Sequence, residues 1–288
     1  MKNIIYFFII AGLLFSCKNN TKGDIKDTED TGPLSNPTKE LEQKFKPIIQ
    51  GVWVKKEYID EIVKTKSPYT SFKALGGVAG FEIQLSGSGD STHIGCSLNN
   101  HEGADFVLYL QNGHKPSSLK TGLPDYKIKG NFYELGYNIE SSDTTMVLYH
   151  YNQHKQIIDS TIYIKVAQKA QDSTDAGWGI TYITNKQLIT GNYAGTDSVG
   201  SQLKIEFRNS GKLHGFNNFK NYYINTDFEA GPANNIDQIG FYETDLMKAK
   251  WYSFKFDADT LNLYNTYPNA DSTKLILGKR IYKLVKQR

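Results

Sequence analysis

Ile49-Gln50-Gly51-Val52-Trp53 and Ile189-Thr190-Gly191-Asn192-Tyr193 carry one pattern twice: an aliphatic residue, a polar one, glycine, a variable position and a large aromatic. Three more pairs follow in the same order. Phe132-Tyr133-Glu134-Leu135 answers Trp251-Tyr252-Ser253-Phe254, and Asp143-Thr144-Thr145-Met146-Val147-Leu148-Tyr149 answers Asp259-Thr260-Leu261-Asn262-Leu263-Tyr264. The last pair, Ile162-Tyr163-Ile164-Lys165-Val166-Ala167-Gln168 and Ile281-Tyr282-Lys283-Leu284-Val285-Lys286-Gln287, closes each half. A collinear set of landmarks of this kind marks a duplicated unit.

Each unit reads as β. In the second, Leu203, Ile205 and Phe207 alternate with Lys204, Glu206 and Arg208 before the turn residues Asn209-Ser210-Gly211, which predicts a strand with one buried face. Further strands are expected at 221–226, 237–242, 250–256, 260–265, 275–277 and 279–286. Clusters such as Glu229-Ala230-Gly231-Pro232 and Tyr267-Pro268-Asn269 separate them. The first unit gives strands at 81–85, 91–97, 106–110, 131–139, 146–151 and 157–166, preceded by a helix over 56–65, where Tyr58, Ile59, Ile62 and Val63 share a face and Ser67-Pro68 ends the run. The fold expected is all-β: two tandem antiparallel barrels of about eight strands each, the number at which a meander can close, with a short helix in the first. A 13% aromatic content, with 19 Tyr and 15 Phe, agrees with strands.

The chain opens on Lys2, an apolar run from Ile4 to Phe15, and Ser16-Cys17, which resembles a bacterial lipoprotein signal peptide. The resemblance implies cleavage before Cys17 and acyl chains on its sulfur, so that the membrane is a partner through lipidated Cys17. The expected organisation is a signal peptide over 1–16, a disordered tether over 17–44, a first barrel over 45–169, a linker over 170–185 and a second barrel over 186–288. The expected address is the cell envelope, at the outer membrane, periplasmic or surface-facing.

Composition narrows the partners. Thirty-three Lys+Arg against 30 Asp+Glu leave the chain almost neutral, with signs interleaved, and this argues against nucleic acid. The basic C-terminal run 279–288 reads as a solvated strand face. Besides Cys17, Cys96 is the other cysteine, so no disulfide forms within the mature chain.

Gly51-Val52-Trp53 at the start of a first strand, repeated as Gly191-Asn192-Tyr193, resembles the opening Gly-x-Trp of lipocalins and related calycin barrels. The chain is also similar to lipocalin-like lipoproteins of Bacteroidetes-type bacteria. The resemblance implies an eight-stranded barrel whose aromatic residue packs at the closed end under a basic side chain of the last strand. Trp53 would lie near Lys165, and Tyr193 near Lys283.

Catalytic chemistry finds little support. The histidines are His93, His101, His114, His150, His154 and His214, none at a metal-binding spacing. His150 and His154 would stand about 13 Å apart on a strand, unless Asn152-Gln153 turn the chain back. Cys96 and His93, three apart on a strand, would face opposite sides. The glycine-rich stretches 76–80 and 86–90 read as a bend and a hairpin turn, and the pairs Asp227/Glu229 and Asp257/Asp259 as turn formers. No catalytic residue, metal or cofactor is therefore expected. The recurrent aromatics suit binding, and Trp53, Tyr133, Tyr149, Tyr193, Tyr252 and Tyr264 are the candidate ligand-binding residues. The expectation is a non-enzymatic envelope protein holding a small apolar or carbohydrate ligand in a barrel. The alternative is an interaction protein that engages an envelope partner through loops or the groove between domains.

Overall fold

Asn36 caps the first helix: its side-chain oxygen accepts from the backbone N–H groups of Thr38 (3.1 Å) and Lys39 (3.3 Å), and Pro37 takes the first helical position. The helix, α1 (Pro37–Ile49), sends Phe45 and Ile49 into the core of the first barrel, with Leu41 and Ile48 packed beside them. Residues 37–44, expected as tether, are thus helical, because their apolar residues fall at helical spacing and find a barrel to cover. The computed structural model describes residues 36–288 other than 86, 88, 142 and 230–232. Cys17 and the expected leader lie outside the described residues. Among the described residues no helix is long and apolar enough to cross a membrane.

The first barrel is a closed meander of β1 (Gly51–Lys55), β2 (Val78–Ile83), β3 (Ser91–Leu98), β4 (Glu102–Asn112), β5 (Ser118–Pro124), β6 (Phe132–Glu140), β7 (Asp143–Tyr151) and β8 (Ile157–Ala167). Every neighbour is antiparallel, and β1 pairs with both β2 and β8. Between β1 and β2 lie α2 (Lys56–Thr65), as expected from its pattern, and the short α3 (Pro68–Ser71). Strand β5 was not foreseen, since Lys120, Gly122 and Pro124 dilute its apolar alternation.

A second helix, α4 (Trp178–Leu188), precedes the second barrel as α1 precedes the first. It occupies much of the expected linker 170–185, because Ile180, Ile183 and Leu188 are buried beneath the barrels; only the stretch before it remains polar. The second barrel comprises β9 (Gly191–Asp197), β10 (Gln202–Phe207), β11 (Leu213–His214), β12 (Asn221–Ile224), β13 (Gln238–Tyr242), β14 (Lys250–Asp257), β15 (Thr260–Pro268) and β16 (Leu275–Lys286). Its sheet order, β11-β10-β9-β16-β15-β14-β13-β12, leaves a seam between the two outer strands. The seam is laced by a Lys212–Asn221 bridge and by backbone bonds from Leu213 to Lys220 (2.9 Å) and from Tyr222 to Gly211 (2.7 Å). One barrel is closed and the other nearly so. The four sequence landmarks fall on equivalent strands, β1 and β9, β6 and β14, β7 and β15, β8 and β16.

The first barrel has its own core around Trp53, Phe81, Phe106, Leu119, Met146 and Tyr163. The core of the second is continuous with the layer between the barrels: Phe207, Phe241 and Phe254 join Tyr58 and Ile62 of α2, Ile180 and Ile183 of α4, and Val54 and Ala79 on the outer wall of the first barrel. Polar contacts reinforce the junction. The Tyr58 hydroxyl meets Thr184 Oγ1 at 2.7 Å, and Asn100 Nδ2 donates to the Thr226 carbonyl at 2.8 Å. Alanine at Ile62 or Ile183 should each cost about 2–5 kcal/mol and lower the urea midpoint of both halves together, read by Trp fluorescence and near-UV circular dichroism. Two separated transitions would refute the shared core.

Candidate functional site

Both barrels carry the same device where the first strand meets the last. Gly51 has φ +138° and Gly191 φ +139°, a region in which only glycine is unstrained. A Cβ on Gly51 would sit 2.9 Å from the Ala167 carbonyl and 3.2 Å from the Lys165 side chain; on Gly191 it would sit 2.8 Å from Lys286 Cε. The bare backbone lets a lysine of the last strand cross onto the aromatic two residues along. Lys165 Nζ lies 4.8 Å from the Trp53 ring centroid and donates to the Ile48 carbonyl at the end of α1 (3.0 Å), while the indole N–H donates to the Ile49 carbonyl (2.8 Å). In the second barrel Lys286 stands over Tyr193 at 6.0 Å. The expected partner of Tyr193, Lys283, pairs instead with Thr196. Three residues from Lys286, it falls on the other face of β16.

Trp53, Tyr193 and Tyr252 are 0%, 2% and 1% exposed. Their rings are absorbed by packing: Tyr193 and Tyr222 both meet Phe207 edge to face, and Tyr252 and Phe216 meet Phe241 in the same way. Tyr149 does not face the first barrel's interior. Met146 and Leu148 enter that core, whereas Val147, Tyr149 and Tyr151 form a cluster with Phe132 on the opposite face of the sheet. Tyr133 is half-buried and stacked on His150 (4.3 Å, 12°). Tyr264 is half-buried opposite Arg280, where β15 and β16 lose regular register. The structure does not gather the six into one site.

Beside the Tyr149 cluster sits a carboxylate that sequence reasoning did not single out. Glu134, 1% exposed, accepts from the His114 backbone N–H (2.8 Å) and Ser118 Oγ (2.8 Å) and lies 2.6 Å from His114 Nδ1. The carboxylate pins the β4–β5 loop over the outer wall. A side chain at Gly113 would collide with it and with Ser118. Both partners address the carboxylate, so no nucleophile is set against the imidazole, and the group is a staple.

The other histidine readings resolve similarly. His150 bridges Asp125 (3.0 Å, through Nε2) and Asp159 (3.1 Å, through Nδ1), and His154 is exposed in the β7–β8 turn. Cys96 is fully buried, and burial pushes its thiol up to about 11; His93 points outward to Asp105 at 2.8 Å. Among the described residues no group of three or more His, Cys, Asp and Glu is arranged to hold a metal ion.

Of the clefts on the outside of the barrels, two adjoin the helices and the strap at the junction. One, about 370 Å³, runs between the α2–α3 corner and β13–β14 and is lined by Lys66, Ser67, Thr70, Asp237, Ser253 and Lys255. Burial pushes the Asp237 carboxyl up, opposed by the Tyr69 N–H that it accepts at 2.7 Å. The other, about 460 Å³, lies between the outer wall of β1–β4 and the strap before α4, with Trp178, Glu82, Gln84 and Asp175 on its walls and Gly95 and Gly103 on its floor. Each joins residues more than 80 positions apart, so no local pattern announces it.

Fold and site together define a pair of tandem eight-stranded antiparallel barrels that fit a lipocalin-like fold, one closed and one nearly so, each with a glycine, an aromatic and a lysine where its first strand meets its last. Compared with known proteins, the chain matches no family model, no curated protein and no solved structure.

Glu134→Ala removes the acceptor of the His114 N–H and of Ser118 Oγ and should cost about 1–3 kcal/mol, measured by urea unfolding, with the far-ultraviolet spectrum unchanged. Burial also raises the phenols of Tyr58, Tyr163, Tyr193 and Tyr222. These stay neutral in the folded chain, whereas in the unfolded chain they ionise near pH 10. Their contribution is complete below about pH 10 and is lost as pH rises toward the folded values. Tyrosinate absorbance should therefore end in a cooperative step coincident with loss of ellipticity. A smooth titration of all tyrosines in a folded chain would contradict it.

Proposed function

We propose that the protein is a non-enzymatic, lipid-anchored component of the cell envelope, held at the outer membrane through Cys17, that engages its partner through its loops and the groove between its two halves. The observation that carries this reading is the fate of the aromatics. Trp53, Tyr193 and Tyr252, which would have lined a ligand chamber, are consumed in packing, while clefts of about 370 and 460 Å³ open beside the junction of the barrels. A groove between two halves that share a core offers a preorganised surface, and preorganisation favours binding. The leader pattern around Ser16-Cys17 supports the anchor.

A small apolar or carbohydrate ligand at a barrel mouth is the second reading. It is favoured by Tyr133, which stays half-buried with its ring laid on His150.

Photo-crosslinking in envelopes separates the two. A benzophenone residue at Thr70 or Lys255 should give a discrete adduct, and one at Glu140, on the β6–β7 hairpin, none; Cys17→Ser should move the protein from the membrane to the soluble fraction. A saturable apolar or sugar ligand whose binding is abolished by Tyr133→Ala, with no adduct from the groove, would favour the second reading.

A further inference from the structure

Pro124, Phe132, Tyr151 and Ile157 pair in succession across β5, β6, β7 and β8, a single row about 15 Å wide at three strand spacings. Two connections rise side by side from this row, 125–131 and 152–156. They adjoin closely enough that a Cβ on Gly130 would lie 3.6 Å from Gln153 Cβ. This rim carries four exposed apolar side chains, Tyr126 (80%), Ile128 (58%), Ile157 (46%) and Ile158 (49%). Singly such residues are ordinary; two on the 125–131 connection and two at the start of β8, beside it, make a patch.

The rim's charges are sorted by the same hydrogen bonds that shape it. Asp125 accepts from the N–H groups of Lys127 (2.7 Å) and Ile128 (3.1 Å), from Asn131 Nδ2 (2.9 Å) and from His150 Nε2 (3.0 Å). Asp159 lies against the other ring nitrogen of the same histidine. Both carboxylates of the rim are thereby engaged. Lys127, Lys129 and Lys155 are exposed, with no ion-pair partner among the described residues, and His154 stands beside Lys155. The bonds to Asp125 also fix the loop, so that Tyr126 and Ile128 are held outward before anything binds.

We propose that this rim is a membrane-contacting surface, in which Tyr126, Ile128, Ile157 and Ile158 enter the headgroup region of an anionic bilayer while Lys127, Lys129 and Lys155 neutralise its lipids. Tyrosine suits that interface because its ring is apolar and its hydroxyl wet, and each lysine adds attraction to anionic lipid. The chain permits the contact. About 20 residues separate Cys17 from Asn36, a reach of at most about 70 Å, against about 36 Å for the length of the 11-residue β8. An anchor at Cys17 thus leaves the rim free to meet the same leaflet, although the proposal does not rest on acylation.

The test uses the full chain with Cys17→Ser, which removes the acylation site, and Ile128→Cys carrying an environment-sensitive fluorophore; the buried Cys96 stays unlabelled. Vesicles of phosphatidylglycerol with phosphatidylcholine should shift the emission to the blue in a saturable, salt-sensitive way, and pure phosphatidylcholine should not. The same label at Ile139→Cys, on the β6–β7 hairpin at the opposite end of the barrel, should stay silent, which excludes a signal from the leader alone. Combined Lys127→Glu, Lys129→Glu and Lys155→Glu should weaken the response on the order of 100-fold with the melting curve unchanged. A silent label at position 128, an equal response on neutral vesicles, or indifference to charge reversal would overturn the proposal.

Discussion

One apolar core reaches from the inside of the second barrel, beneath α2 and α4, to the outer wall of the first. A barrel of about eight strands has room inside for its own side chains or for one small ligand. The second barrel here closes only through a sparsely bonded seam between β11 and β12, and its opening strand follows a helix that is itself half of the junction. Its stability is therefore tied to the wall it leans on. Tyr58, Ile62, Ile180 and Ile183 belong to both halves, and the polar contacts from Tyr58 to Thr184 and from Asn100 to Thr226 fix the register between them.

The duplicated closure shows how one device can be held at two strengths. In the first barrel Lys165 faces the Trp53 ring and the Ile48 carbonyl, and the indole N–H is bonded to Ile49, so helix, first strand and last strand meet at a single point. In the second, Lys286 only overlies the Tyr193 ring, at the longer distance of 6.0 Å. The second barrel relies instead on aromatic packing, Phe207, Phe216 and Phe241 each touching several rings. Outside that filled interior lie the clefts by the junction, and the rim where Asp125 and His150 hold an apolar, cationic edge in place.

Much of the site was hidden for a definite reason. In β7 the residues Val147, Leu148 and Tyr149 are consecutive and all buried, because the β4–β5 loop covers the outer face that a bare barrel would leave wet. Alternation then disappears, and nothing in the strand's own pattern says that Tyr149 points away from the interior. Glu134 was overlooked for the same cause: a carboxylate in a strand reads as solvated until a loop brings His114 and Ser118 onto it. Lys286 was missed because Lys279, Arg280, Lys283 and Lys286 place cations on both faces of β16.

What the chain determined by itself was local and periodic: strands from alternation, α2 from its apolar face, duplication from ordered landmarks, and the glycine that each opening strand requires. Those properties depend on neighbours within a few residues and survive without a partner. What only the tertiary structure decided was which faces are covered, that residues 37–44 and the second half of 170–185 become helical, and that the two barrels share a core. Burial of this kind is set by contacts between segments far apart in sequence, such as those that bring Ile62 and Ile183 into one core, and no short window of residues contains both members of such a pair.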